Sequence, residues 1–258
     1  MLKGFEGHVA HDIAQGITRK PLRLHNHTEK LSIWVISDQY PTRFIEKVQA
    51  SGLHGLCGLG HYSSTRARRV TAIVERWHPE TNSFHYGFGE MTPTLDDVLQ
   101  LTGLPISGTP VFTEDPRTPV QILVDLLGVT ADEAREGIGG RRNSVSLDWL
   151  FTNFSVVEED DTNTRVDCCV RAYLLYVLGC TIFTSKEGCT APVKVLTLLD
   201  DLEGVSGYAW GAAALAILYR ELGYATRKTS QQIAGFMVML EVHLSKLLPI
   251  LTYNTYIK

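Results

Sequence analysis

Residues 77–111 read Trp77-HPETNSFHYGFGEMTPTLDDVLQLTGLPISGTP-Val111, and this stretch sets the expectations for the fold. Ser83-Phe84-His85-Tyr86 is a short β-favouring run, and Gly87 and Gly89 free the backbone to turn directly after it, so a strand or hairpin arm ends here. Thr94 stands three residues before Asp97, the spacing at which hydroxyl and carboxylate cap a helix start reciprocally. Leu95, Val98, Leu99 and Leu101 supply the apolar face of the helix that follows. Gly103 stops that helix and Pro105 keeps it stopped, with 104–108 as a tight turn.

Outward from this segment the chain is mostly helical. Pro41 opens a helix carrying Phe44, Ile45 and Val48 inward, with Gly52 as its stop. Val70–Trp77 reads equally as a helix or a buried strand. Phe112–Pro119 is an acidic, proline-bearing linker, and Thr130 with Glu133 repeats the capping-box spacing before a short helix. Gly137–Asn143 reads as a flexible loop. Arg171–Phe183 is apolar nearly all round and belongs at the centre of the fold. A helix through Tyr208 and Trp210 follows, with Gly207, Gly211 and Ala214 permitting close approach, and a last helix is expected from Ser230. The expected fold class is mainly α, a multi-helical globular domain with a few short strands or a small hairpin near 83–90. Residues 1–30 read as a loosely attached arm, 31–242 as the domain, and 243–258 as an atypical tail. Within the domain, halves of about 31–111 and 145–242 are joined by a loop-rich linker.

Composition narrows the function classes. With 258 residues and 44% hydrophobic content, the chain can bury a substantial core. Its net charge of −4 offers a phosphate backbone no general attraction, which disfavours direct nucleic-acid binding. The basic clusters at Arg66, Arg68, Arg69 and at Arg141, Arg142 are short, lack interleaved aromatics and read as solvated faces. No secretory h-region opens the sequence, the five cysteines follow no framework spacing, and the longest apolar run, Ala172–Thr184, is too short for a bilayer. An intracellular setting with reduced thiols is expected.

Each chemistry-bearing residue also has a packing role open to it. His54, Cys57 and His61, with His85 or Cys180 as a fourth, could ligate zinc, and Gly52, Gly55, Gly58 and Gly60 would let the loop wrap it. The spacing matches no standard finger, so a glycine-rich loop is favoured. Cys168 and Cys169 diverge on a helix and read as small core residues. Glu90 could be a general acid, but a buried structural carboxylate is favoured; Asp200 and Asp201 could serve a metal-dependent nuclease, but a cap before the Trp210 helix is preferred. Neither G-x-S-x-G, G-x-G-x-x-G nor a phosphate-loop motif occurs. No residue is assigned a catalytic, cofactor-binding or metal-ligating role, and no cofactor is expected.

Three islands in order, Trp77–Val111, Arg171–Phe183 and Leu199–Leu222, resemble the plant mobile domain over roughly residues 25 to 240. The resemblance implies a transposon-associated lineage recruited to plant nuclear functions: meristem maintenance, genome stability and transposon silencing. It implies a non-enzymatic nuclear protein-interaction domain whose partners are nuclear proteins, a phosphatase-like protein of the same family among them. The alternative is a degenerate mobile-element enzyme or nucleic-acid-processing domain using Glu90, Asp200 and Asp201. The family's "aminotransferase-like" label would require a pyridoxal-phosphate lysine, and neither Lys186 nor Lys194 stands in such a context. After Gly235 the chain departs from the family pattern, which predicts apolar surface left bare near Phe236 and Met237.

Overall fold

The chain is described by a computed structural model over residues 7–61, 67–138 and 143–242, with only the backbone at His61. Arg66, Arg141, Arg142 and the tail 243–258 lie outside the described residues, so the readings placed on them are not addressed. The described part is mainly helical, with a few short strands in two- and three-stranded sheets, as the apolar periodicities imply.

In chain order the elements are α1 (Val9–Ala14), β1 (Arg23–Leu24), α2 (Thr42–Ala50), α3 (His54–Cys57), α4 (Ala67–Val74), β2 (Trp77–His78), β3 (Ser83–Tyr86) and β4 (Gly89–Met91). They continue as α5 (Leu95–Thr102), α6 (Pro119–Leu127), α7 (Ala131–Ile138), β5 (Ser144–Ser146) and α8 (Leu147–Phe154). The last are α9 (Asn163–Cys180), β6 (Thr190–Pro192), α10 (Trp210–Ala225) and β7 (Gln232–Ile233). Short 3₁₀ turns, including Val193–Leu199, join several of them.

The apolar helix α9 is the axis. Every residue from Ala172 to Cys180 is buried, and α2, α3, α6, α8 and the Val193–Leu199 turn all lie against it. Trp34 closes one side, its indole packed edge-on to Phe151, Tyr173 and Tyr176 with ring centroids 5.8, 5.1 and 5.0 Å away. Such edge-to-face pairs add to the area each ring buries. Arg171, at the half-exposed margin of α9, donates through its guanidinium to the carbonyls of Leu199 (3.1 Å), Leu126 (3.4 Å) and Asp200 (2.8 Å). One side chain thus ties together α6, α9 and the turn after Leu199.

The second packing centre is α10, which lies against α5, β2 and β7. Gly211 permits this approach: a Cβ there would stand 3.0 Å from Ile106 Cγ2 and 3.1 Å from the Pro105 carbonyl, which accepts from Gly211 N at 2.7 Å. The halves read from the sequence therefore interpenetrate, since α2 and α3 pack on α9 while α10 packs on α5, and the buried residues from Leu22 to Leu240 form one core.

Local expectations hold at the two ends of α5. Thr94 and Asp97 form the reciprocal capping box, and Gly103 closes the helix at φ 69°. Thr130 and Glu133 cap α7 in the same way. The hairpin pairs β2, β3 and β4 antiparallel, and Val70–Trp77 divides into the end of α4 and the start of β2.

Several expectations are corrected. Within the supposed loose arm, His8 Nε2 bonds to the Trp77 carbonyl at 2.7 Å, Leu22 is 1% exposed, and β1 pairs in parallel with β7. The segment between the halves holds α6, whose Ile122, Leu123, Leu126 and Leu127 enter the core. Helix α10 begins at Trp210 instead of Tyr208, which is extended and bridges to Thr109. No helix starts at Ser230; β7 intervenes, and the chain is helical only from residue 237. Phe236 and Met237, expected to be bare, are each 1% exposed. Leu95 and Leu99, expected to face inward, are 39% and 40% exposed, while Val98 alone of the expected apolar face is fully buried.

Candidate functional site

The glycine-rich segment 52–60, expected to be a loop, is instead helical over His54–Cys57 and Gly58–His61, and its glycines serve packing. A Cβ on Gly55 would fall 1.9 Å from the Thr102 carbonyl oxygen, and one on Gly60 would fall 2.9 Å from Ser32 Oγ. Gly52 adopts φ 74°, which favours glycine, whereas Gly58 has open space around it. Gly55 thus lets α3 dock against the end of α5. His54 is exposed, and the Cys57 thiol turns toward Tyr173, pushed up in pKa by burial. The His61 side chain lies outside the described residues; His85 sits on the hairpin and Cys180 deep in α9. Among the described residues, no three His, Cys, Asp or Glu side chains are grouped to hold a metal.

The thiols on α9 are unsuited to attack as nucleophiles. Cys168 and Cys169 are buried and unpaired, and loss of hydration raises both, Cys169 to about 11. Burial raises Cys180 further still. Thiolate is the reactive form, so burial keeps these groups inert.

The carboxylates do not gather. Glu90 is neither buried nor held by backbone amides: its side chain is 54% exposed, accepts from Ser83 Oγ at 2.7 Å and stands 3.4 Å from His85 Nε2. Asp201 Oδ1 accepts from Glu203 N at 3.2 Å, a turn of its own, and the start of α10 has no side-chain cap. Asp200 and Asp201 do not cap α10; both are exposed and line a shallow cleft with Thr109, Thr197 and Tyr208, to which Glu90 does not contribute. Lys186 is paired with Glu221 at 2.5 Å, and Lys194 is exposed.

Two surface features stand out instead. On α5, Leu95 and Leu99 lie one turn apart and outward, on a helix held by its capping box, by the buried Val98 and by the contact of α5 with α10. At the far end of α10, an open cleft of about 800 Å³ lies between the β2–β3 turn, Gly7–His8 and the chain around Arg227. The sequence reading missed this cleft because its walls come from three separated segments. The stacked histidines His8, His78 and His85 stand beside it, with centroids 5.1 and 3.9 Å apart in succession.

No described helix is long and apolar enough to cross a membrane. No solved structure matches the chain. Among curated proteins of Arabidopsis thaliana, it is 39% identical over 236 residues to Protein MAIN-LIKE 2, covering 92% of this chain and 34% of that protein. It is 38% identical to Protein MAIN-LIKE 1 over 91% of this chain and 45% of that protein. It is 35% identical to Protein MAINTENANCE OF MERISTEMS over 91% of this chain and 47% of that protein. The chain thus spans between a third and a half of the length of these relatives. The family model described as plant mobile domain matches residues 52–254, running through the segment that reads as a departure from the pattern. With that match, the sequence resemblance is resolved: this chain belongs to the plant mobile domain family.

Proposed function

We propose that the chain is a non-enzymatic protein-interaction domain that works in the plant nucleus, in meristem maintenance, genome stability or transposon silencing. The observation that carries this reading is α5. A helix anchored at both ends and along its inner face holds Leu95 and Leu99 outward, and a partner that covers them removes their apolar area from water without having to order the element that carries them. The relatives' names, MAINTENANCE OF MERISTEMS among them, support the setting. The candidate partners are nuclear proteins, including a phosphatase-like protein, since a phosphatase 7 long form homolog shares 35% identity over 76% of this chain.

The test is affinity purification of the tagged chain from plant nuclei with mass spectrometry, beside a Leu95→Glu/Leu99→Glu variant whose melting curve matches the parent. A reproducible protein partner lost in the variant is the expected outcome; an identical set recovered with both would overturn the reading. The rival reading, a degenerate mobile-element enzyme, draws on Asp200 and Asp201 lining one cleft. It predicts a divalent-metal-dependent nuclease activity abolished by Asp200→Asn/Asp201→Asn.

A further inference from the structure

The cleft at the end of α10 is positively charged in a chain whose net charge is −4. Arg220, Arg227 and Lys228 line it, against Glu80 as the one carboxylate among the described lining residues. Lys228 is held at 2.6 Å by Asp12. Arg220, with a side chain 59% exposed, stands 3.5 Å from Glu221 Oε1, while Lys186 holds the other oxygen, Oε2, at 2.5 Å. Arg227 has no carboxylate partner among the described residues; its guanidinium rests over the Tyr224 ring at 4.7 Å. Two exposed arginines therefore line the cleft, Arg220 in a long pair with Glu221 and Arg227 with no carboxylate partner among the described residues.

The end of the helix does not absorb this charge. A helix C-terminus attracts cations through its unsatisfied carbonyls. Here Leu222 O accepts from Thr226 N, Gly223 O from Thr226 Oγ1, Tyr224 O from Arg227 N and Ala225 O from Arg19 Nη1. With those acceptors occupied, the helix end does not take up the Arg227 guanidinium. The neighbouring rings offer little stacking surface: His78 lies between its contacts with His8 and His85, and Tyr224 carries Arg227 and, at 5.5 Å, Lys186. Recognition there is by charge, which favours an acidic polypeptide over a nucleic acid, whose bases seek free aromatic faces.

We propose that this cleft binds an acidic segment of a partner polypeptide, its carboxylates or phosphates meeting Arg220 and Arg227. The inference rests on the protein-interaction reading and gives it a second surface.

The experiment is fluorescence polarisation on the full chain with three labelled probes: a peptide of repeated Glu-Ser-Ser, its Gln-Ser-Ser counterpart, and oligothymidylate. The acidic peptide should bind, weaken with added salt, and lose at least roughly tenfold in affinity in Arg220→Glu/Arg227→Glu. Arg220→Gln/Arg227→Gln should weaken it less, and Arg68→Glu/Arg69→Glu on α4 should leave it unchanged. The proposal is overturned if the acidic peptide does not bind, if the glutamine peptide or oligothymidylate binds as well or better, or if the α4 variant weakens binding equally. The α5 variant reads a different surface, so that function can stand when this cleft fails.

Discussion

Gly55→Ala isolates what the glycine-rich loop is for. The added methyl carbon would fall 1.9 Å from the Thr102 carbonyl oxygen, a backbone atom that cannot rotate away, so α3 and the end of α5 must part by more than an ångström. Overpacking of this kind costs about 3 kcal/mol at the upper end of its range. Alanine recovers up to about 1 kcal/mol over glycine in a helix, leaving a net loss near 2 kcal/mol. Gly58→Ala is the matched control, since nothing stands within 4 Å of a Cβ there and its backbone is helical at φ −76°. That variant should be neutral or slightly stabilised. In thermal unfolding followed by far-ultraviolet circular dichroism, Gly55→Ala should melt roughly 4–8 °C below Gly58→Ala. Adding zinc to the parent chain should shift neither its midpoint nor the gap. Equal melting of the two variants would refute the packing argument, and a large zinc-dependent rise in the parent would restore the metal reading.

Trp210→Ala should lose about 3–5 kcal/mol, because the indole is 0% exposed and its Nε1 donates to Val205 O at 2.8 Å; Trp210→Phe should lose less than half as much in urea titration. Arg171→Met strands three carbonyl acceptors at the margin of α9 and should cost about 2 kcal/mol, with Arg171→Lys only partly restoring it; an unchanged denaturation midpoint would sink the tethering role. Burial holds His8, His27 and His78 below the ordinary value of 6.5, so the unfolded chain binds more protons than the folded one just below that pH. Stability is therefore full above about pH 6.5 and falls as pH drops toward the depressed folded values, and His8→Asn should flatten the decline in urea midpoint between about pH 7.5 and 5.5.

Signals that act over three or four residues were legible in the chain. Thr94 with Asp97, Thr130 with Glu133, and the αL stop at Gly103 stand where their chemistry requires, because partner and target lie on the same turn. Thr118-Pro-Val-Gln121 carries the same signature, with proline at the first helical turn, and read that way it would have revealed α6 inside the supposed linker. The continuous apolarity of Arg171–Phe183 likewise marked α9 as central, since only a helix covered on every side tolerates it.

What required the tertiary structure were relations between residues far apart in the chain. The pairing of β1 with β7, which fastens the segment around Arg23–Leu24, joins segments more than two hundred residues apart, and neither dipeptide marks its partner. Gly55 reads as loop freedom until Thr102 stands against it, and Asp200 reads as a cap until α10 begins at Trp210. Leu95 and Leu99 share helical spacing with Val98, yet α10 covers one flank of α5 and leaves the other open; periodicity marks an apolar stripe without saying how much of it a neighbour will bury. The cationic cleft has the same origin, because charge along the chain averages to acidic and only folding gathers Arg220, Arg227 and Lys228 around one space.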